Sequence, residues 1–284
     1  MTLELTPGLL QEHIPNVIIQ VDDETPLIDK ILPYFRDTAR TVTAIVGDID
    51  PLPLTEEQKE IITRAVVMHA FAEAVPAIDL VLTPTGFGVV STNTVAPASS
   101  DRITRLVTSL RATAAELLIQ FTDILRTFPE WRDTVAGKQF CLTFLTSLRH
   151  AIPYIGVNTP LTIHTLHAAY TRVIPIAARF EAAIAEEYLG TPLMDHLLRI
   201  HLEGDTAHLP VVTAIREADT RYIAAHLEGD TYRCPDPHEL YHSARPILAA
   251  LPRYPEINRI WEDTMKEKLT PVPFKNKTQG GFFF

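Results

Sequence analysis

The strongest constraint on the fold is a long amphipathic stripe between Ser100 and Pro129. Its apolar residues recur every three or four positions over about seven turns, which is the spacing of one face of an α-helix. They are Ile103, Leu106, Val107, Leu110, Ala114, Leu117, Leu118, Phe121, Ile124, Leu125 and Phe128. Pro129 cannot continue the helix, because its ring removes the backbone N–H. The sequence therefore predicts one long helix that begins near Ser100 and ends before Pro129.

A second helix is predicted after Thr55. Thr55 and Gln58 have the spacing of a capping box, in which each side chain accepts a hydrogen bond from the backbone N–H of the other. Apolar residues at helical spacing follow as far as Val75. Pro76 is expected to end or kink this helix.

Proline and glycine indicate where other helices begin and end. Thr25-Pro26, Thr159-Pro160 and Thr191-Pro192 combine a capping hydroxyl with a ring that fixes φ for the first helical residue, so each predicts a helix start. Pro175 is expected to kink or split the helix that contains it. Gly190 is expected to end that helix.

Strand signals are confined to one region, where Leu80–Thr83 and Phe87–Val90 flank a Pro-Thr-Gly turn. They predict a β-hairpin or ribbon at about 80–96. The predicted fold class is mainly α, with helical, bundle-like halves and this one inserted hairpin.

Breaks in the helical pattern suggest how the chain is divided. We expect an N-terminal helical domain over 1–136 and a C-terminal helical domain over 159–270. The segment 137–158 breaks helical periodicity and is interpreted as a connector, either extended or a buried strand. Residues 271–284 are predicted to form a flexible tail.

Composition excludes several classes of protein. The 25 basic and 35 acidic residues give a net charge of −10, which argues against nucleic acid or an anionic membrane as a bulk partner. No run of about 18 uncharged apolar residues occurs, so no membrane span is expected. The N-terminus lacks the pattern of a secretory signal. Cys141 and Cys234 form no CxxC, and a reducing compartment is expected.

One string has the pattern of a catalytic motif. His238-Glu239-Leu240-Tyr241-His242 matches HExxH, in which two histidines one turn apart bind zinc and the glutamate activates water. However, Asp236-Pro237-His238-Glu239 is also a capping box, and Pro246 is expected to disturb the helix. We therefore expect no metal, no cofactor and no catalytic residue, and a zinc-dependent hydrolase that uses His238, Glu239 and His242 is the alternative.

Two apolar clusters are candidate contact surfaces. The ribbon places Phe87, Val89 and Val90 within four residues, and the tail ends in Phe282, Phe283 and Phe284 after two glycines. Exposed apolar clusters often mark interaction sites. The competing interpretation is intramolecular, with the ribbon on the 101–128 helix and the tail in a groove of its own chain.

The region 77–103 carries two motifs that resemble those of uncharacterised Bacteroidetes phage and prophage proteins of similar length. They are Gly86-Phe87-Gly88-Val89-Val90 and Ala96-Pro97-Ala98-Ser99, and the final Gly281-Phe282-Phe283-Phe284 also resembles that group. The resemblance implies a non-enzymatic role in phage structure or assembly, near the head–tail junction. It also implies a homo-oligomer, or binding to other phage structural proteins, in a bacterial cytoplasm or in the virion.

Overall fold

The structure, a computed structural model, describes residues 4–14, 27–78, 81–83, 86–88, 99–228 and 235–269. Helices account for most of these residues, which confirms the mainly α fold class. The α-helices in this part of the chain are α1 Pro7–His13, α2 Leu27–Val46, α3 Glu56–Ile78, α4 Ser100–Leu125, α5 Pro129–Arg132, α6 Val135–Phe140, α7 Ile163–Ile184, α8 Thr191–Leu202, α9 Leu209–His226, α10 Pro237–Ala250 and α11 Pro255–Leu269.

The chain forms two compact units. The first comprises Met1–Ala178 and Ile223–Thr231, and the second comprises Arg179–Tyr222 and Tyr232–Phe284. The division between them falls within α7 and again within α9. It therefore differs from the predicted domains 1–136 and 159–270, which were separated at 137–158.

The segment 137–158 lies inside the first unit, and part of it belongs to that unit's core. All six residues of 143–148 are buried. Phe140 stacks on Tyr170 with ring centroids 4.9 Å apart, and the Tyr170 hydroxyl donates to the Leu145 carbonyl at 2.9 Å. The segment is neither an extended connector nor a strand, since it contains the end of α6 and a 3-10 helix over Leu148–Tyr154.

Helices α2, α3 and α4 pack together in the first unit, with α3 in contact with both of the others. Helix α3 is apolar on nearly all sides, as expected for a helix that neighbours cover on more than one face. By length and composition alone it is also long and apolar enough to cross a membrane, and 56% of the qualifying stretch is buried within the protein. The apolar composition of α3 is explained by its position between α2 and α4, both of which contact it.

Several predicted helix boundaries are confirmed. The Thr55 N–H donates to Gln58 Oε1 at 3.0 Å, and the Gln58 N–H donates to Thr55 Oγ1 at 3.2 Å, which is the expected reciprocal cap. Helix α4 begins at Ser100 and ends before Pro129. A π-helical turn extends α7 to Leu189, and Gly190 ends it with a φ of +82°.

One predicted helix start is wrong. Helix α7 begins at Ile163 rather than at Thr159-Pro160, because Thr162 and Thr165 cap each other reciprocally at 2.9 and 3.1 Å. Pro76 does not end α3, which continues to Ile78, and Pro175 does not split α7; a kink at Pro76 or Pro175 stays a prediction, as does a disturbance of α10 at Pro246. The rings of Pro175 and Pro246 are exposed, so the backbone groups that they leave without helical partners face water rather than the core.

The strand region contains two short strands, β1 Val81–Thr83 and β2 Gly86–Gly88, which pair antiparallel with Val81 opposite Gly88. Residues 89–98 lie outside the described residues, as does the tail 271–284. The longer ribbon over 80–96 and the flexible tail therefore stay predictions.

Gly137 is a position where a side chain does not fit. A Cβ there would lie 1.9 Å from the carbonyl oxygen of Trp131. The Thr134 side chain holds these two backbone segments together, since its hydroxyl donates to that oxygen at 2.7 Å and accepts from the Gly137 N–H at 3.0 Å. We expect Gly137→Ala to lower the free energy of unfolding by about 3 kcal/mol.

The matched control is Gly8→Ala, since a Cβ at Gly8 in α1 meets no atom within 4 Å. That variant should leave stability unchanged or raise it by up to about 1 kcal/mol. Urea denaturation of both variants measures the difference. Equal stabilities would contradict the close approach of α6 to Trp131.

Candidate functional site: the exposed end of the α3–α4 pair

The end of the α3–α4 pair extends beyond the buried core. Glu73, near the end of α3, pairs with Arg111 of α4, so the end of one helix lies beside the beginning of the next. No side chain is buried in the last turn of α3, residues 75–78, or in the first six residues of α4, residues 100–105. We call these two stretches, together with β1 and β2, the arm.

Local interactions hold the start of α4, where the core does not. Asp101 lies in the first turn, where a carboxylate interacts favourably with the helix dipole. Its carboxylate also forms an ion pair with Arg105, one turn later. Both side chains are largely exposed, so this pair adds little to the stability of the whole protein. Interactions between residues close in sequence therefore support the helical conformation at the exposed start of α4.

Only one of the six predicted contact residues is placed by the structure. Phe87 lies in β2, opposite Leu82 of β1, and so belongs to the arm. Val89 and Val90 lie outside the described residues, as do Phe282, Phe283 and Phe284. The structure therefore does not test whether the ribbon cluster and the tail cluster form contact surfaces.

The HExxH string lies at the start of α10. Asp236 caps this helix as predicted, because its carboxylate accepts from the His238 N–H at 2.9 Å. His238 and His242 are exposed, with ring centroids 5.5 Å apart. Across the described ranges, no three His, Cys, Asp or Glu side chains are grouped so as to hold a metal ion. The string therefore has the helical spacing of a zinc motif without a third ligand in this part of the protein.

A buried polar network that the sequence analysis missed lies between α2, α3 and α4. His69 of α3 is only 1% exposed, and its Nδ1 lies 3.3 Å from the Thr38 hydroxyl of α2. Its Nε2 lies 3.6 Å from Glu73 Oε1, which is too long for a hydrogen bond. Glu73 accepts two bonds from Arg111 of α4, at 2.8 and 3.0 Å. The network therefore links three helices through one imidazole and one ion pair.

The surroundings of His69 keep its imidazole neutral. Burial lowers the pKa of His69 to about 4, a change that the Glu73 carboxylate opposes and that His164 and Arg111 reinforce. The ring of His164 lies nearly perpendicular, 5.2 Å away. A neutral, enclosed imidazole serves packing and hydrogen bonding, and it has no open face for a substrate.

A second missed cluster lies in the second unit, where Asp219 of α9 is completely buried. Burial raises the pKa of Asp219 well above its ordinary value, the Glu181 carboxylate raises it further, and Arg216 lowers it. Within the described part of the chain, no N–H or hydroxyl group donates to the Asp219 oxygens. These surroundings favour the protonated, uncharged form of Asp219.

Sequence signals for both clusters existed. His69 stands alone in the apolar run Val66–Ala72, with Glu73 one helical turn later. Asp219 occupies an apolar face, four residues after Ile215 and three before Tyr222. A polar residue at a core position indicates a buried, partnered group. The partners themselves lie on other helices and could not be read from the spacing.

His69 should make stability depend on pH. Because the unfolded chain protonates this imidazole near pH 6.5 and the folded protein only near pH 4, the free energy of unfolding falls as pH drops through that interval. We expect His69→Asn, which keeps a partner for Thr38, to remove about 3 kcal/mol of this fall. Urea denaturation at pH 7 and pH 4 measures it. The matched control, exposed His242→Asn, should change stability at pH 7 by less than about 0.5 kcal/mol.

Asp219 should make stability depend on pH in the opposite direction to His69. Its unfolded carboxyl ionises near pH 3.8 and its folded carboxyl at a higher pH, so the free energy of unfolding falls as pH rises above 3.8. We expect Asp219→Asn, which imitates the protonated acid, to raise stability at pH 7 by about 1–2 kcal/mol. Glu217→Gln, an exposed neighbour on α9, should change it by less than about 0.5 kcal/mol. Thermal melts at pH 4.5 and 7 measure both, and a lower melting temperature for Asp219→Asn at pH 7 would contradict a raised pKa for this carboxyl.

Comparisons with known proteins add one finding. Residues 23–141 match a family model described as "Family of unknown function (DUF6712)". No curated protein and no solved structure matches the chain. The matched region contains α2 to α6 complete, so it includes the arm and the helices that bury α3, and it covers less than half of the chain.

Proposed function

We propose that the protein is a non-enzymatic phage or prophage structural or assembly component, of the head–tail connector kind, that binds its neighbours through the arm. The observation that carries this proposal is the extension of α3 and α4 beyond the core, with no buried side chain in residues 75–78 or 100–105. A helix pair that extends from its own core in this way presents a surface to other molecules.

The strands on the arm support a role in binding. A two-stranded hairpin is marginally stable in water unless it packs against something. Within the described residues, the pairing of β1 with β2 covers three residues on each strand. Contact with a neighbouring molecule would bury Phe87, Val89 and Val90, and each such burial is worth roughly 1.5–3 kcal/mol.

Two motifs that resemble those of phage proteins lie between α3 and α4 in the sequence. The Gly86–Val90 motif begins in β2, and the Ala96–Ser99 motif leads directly into α4. Two of the three features that resemble Bacteroidetes phage proteins therefore lie in the part of the sequence that joins α3 to α4. This coincidence supports a homo-oligomer, or a complex with other phage structural proteins, in the bacterial cytoplasm or in the virion.

The buried ionisable groups also support a non-enzymatic role. The pKa of His69 is lowered and that of Asp219 is raised well above its ordinary value, and both side chains are buried. A catalytic acid or base must reach a substrate, at most through one water molecule. Their burial favours structural roles in joining helices.

The zinc hydrolase remains the alternative, because the exposed rings of His238 and His242 lie one helical turn apart. It requires a third ligand from outside the described residues or from another chain. Metal analysis of protein purified without added zinc separates the two proposals, since a hydrolase of this kind would retain zinc and lose it in His242→Ala.

The arm is tested by removing its apolar side chains. We expect the combined variant Phe87→Ser, Val89→Ser and Val90→Ser to weaken self-association or partner binding at least tenfold, about 1.4 kcal/mol. The physical reason is the loss of apolar area that the contact buries. Light scattering coupled to size exclusion, over a range of concentrations, measures the mass of the assembly.

A matched control removes equally apolar, exposed side chains elsewhere in the first unit. Val135→Ser, Leu142→Ser and Val157→Ser should leave the mass unchanged. If the control and the arm variant behave alike, or if the arm variant assembles like the unaltered protein, the arm is not the contact surface.

A further inference from the structure

A groove of about 820 Å³ lies between α1, α3 and α4 in the first unit. Met68 and Phe71 of α3 and Leu106 and Leu110 of α4 form its apolar wall. Leu106 is 47% exposed, which is unusual for a leucine on a helix that is otherwise amphipathic. A volume of this size lies in the range of protein sites that hold small ligands or peptide segments.

A buried polar atom at the groove has no partner. His13, the last residue of α1, lines the groove and is only 5% exposed. Its Nε2 has no hydrogen-bond partner among the described residues. This atom is enclosed by protein rather than open to the groove, so the side chains on the open surface of the groove decide what it can bind.

Charged side chains at the groove are also available to a ligand. Glu12, Glu60 and Arg64 line it, and no ion pair joins any of them to another described residue. Two carboxylates and one guanidinium beside an apolar wall fit a ligand that combines basic side chains with large apolar ones.

The chain itself contains a segment with that chemistry. Residues 275–284 carry Lys275 and Lys277, then a short polar spacer with two glycines, then Phe282–Phe284. The lysines complement Glu12 and Glu60, and the phenylalanines match the apolar wall. The spacer can separate the two kinds of contact along the groove.

We propose that this groove binds residues 275–284 of a second copy of the chain. This inference rests on the proposed assembly function and identifies the groove as the binding site of the tail. Each copy then has one groove and one tail, so successive copies join through two different surfaces. Contacts of this kind close into rings or extend into filaments, depending on the rotation between copies.

Two full-length variants test the proposal, each of which disables one half of the contact. Ser109→Trp fills the groove from an exposed position on α4 that lines it. The combined variant Phe282→Ala, Phe283→Ala and Phe284→Ala removes the apolar part of the tail. We expect each variant alone to be monomeric at concentrations at least tenfold above those at which the unaltered protein assembles.

Mixing the two variants gives the decisive result. The tail of the Ser109→Trp protein is intact, and so is the groove of the tail variant, so an equimolar mixture should form a heterodimer and nothing larger. Light scattering coupled to size exclusion gives the mass. A mixture that stays monomeric, or a tail that binds within its own chain, overturns the proposal.

The matched control is Thr108→Trp, an exposed neighbour on α4 that does not line the groove, and it should assemble normally. If Ser109→Trp lowers the melting temperature, Leu106→Asp at the exposed wall replaces it. If the mixture fails while the variant of Phe87, Val89 and Val90 still abolishes assembly, the groove is wrong and the proposed function stands. If neither set of variants changes the assembly, both proposals fail.

Discussion

The burial of α3 between α2 and α4 is the constraint on which the first unit depends. A helix with apolar residues around nearly its whole circumference cannot stay in water, since each large side chain that is buried contributes roughly 1.5–3 kcal/mol. Two neighbours are therefore required, and α2 and α4 both contact it. Two polar side chains of α3 bond to the same neighbours, His69 Nδ1 to Thr38 of α2 and Glu73 to Arg111 of α4. The three helices are held by apolar burial and aligned by this polar network.

The remainder of the first unit closes around that group of helices. Trp131, which is completely buried, donates from its indole Nε1 to the Val46 carbonyl at 2.7 Å and so ties α5 to the last residue of α2. Phe140 lies against both Trp131 and Tyr170, with ring centroids 5.4 and 4.9 Å away. The segment after α6 is consequently core, although it has little regular structure. In the second unit, Phe180 stacks on Tyr222 at 4.6 Å beside the buried acid pair, and the Trp261 indole donates to the Tyr188 carbonyl at 2.9 Å.

The proposed function depends on the part of α4 that the core does not bury. The core buries α4 only from Val107 onward, so the start of this helix is exposed. The groove between α1, α3 and α4 opens on the same helix, at Leu106 and Leu110. A well-buried helix group that carries exposed helix ends and a groove is the basis on which we propose that the protein joins copies or partners, because sites on helices hold their geometry more precisely than sites on loops.

The sequence by itself determined the features that depend on near neighbours in the chain. Periodicity and caps placed α4 within a few residues, identified the reciprocal Thr55–Gln58 cap, and predicted the helix end at Gly190.

Tertiary structure decided what depends on distant residues. Pro175 and Pro246 fall on solvent-facing sides of their helices, where the lost hydrogen bond is tolerated. Residues 143–148 are buried in the core, where the Tyr170 hydroxyl bonds the Leu145 carbonyl, and His69 and Asp219 are buried beside groups on other helices. Local spacing sets helix propensity and helix ends, whereas burial depends on which elements fold against each other.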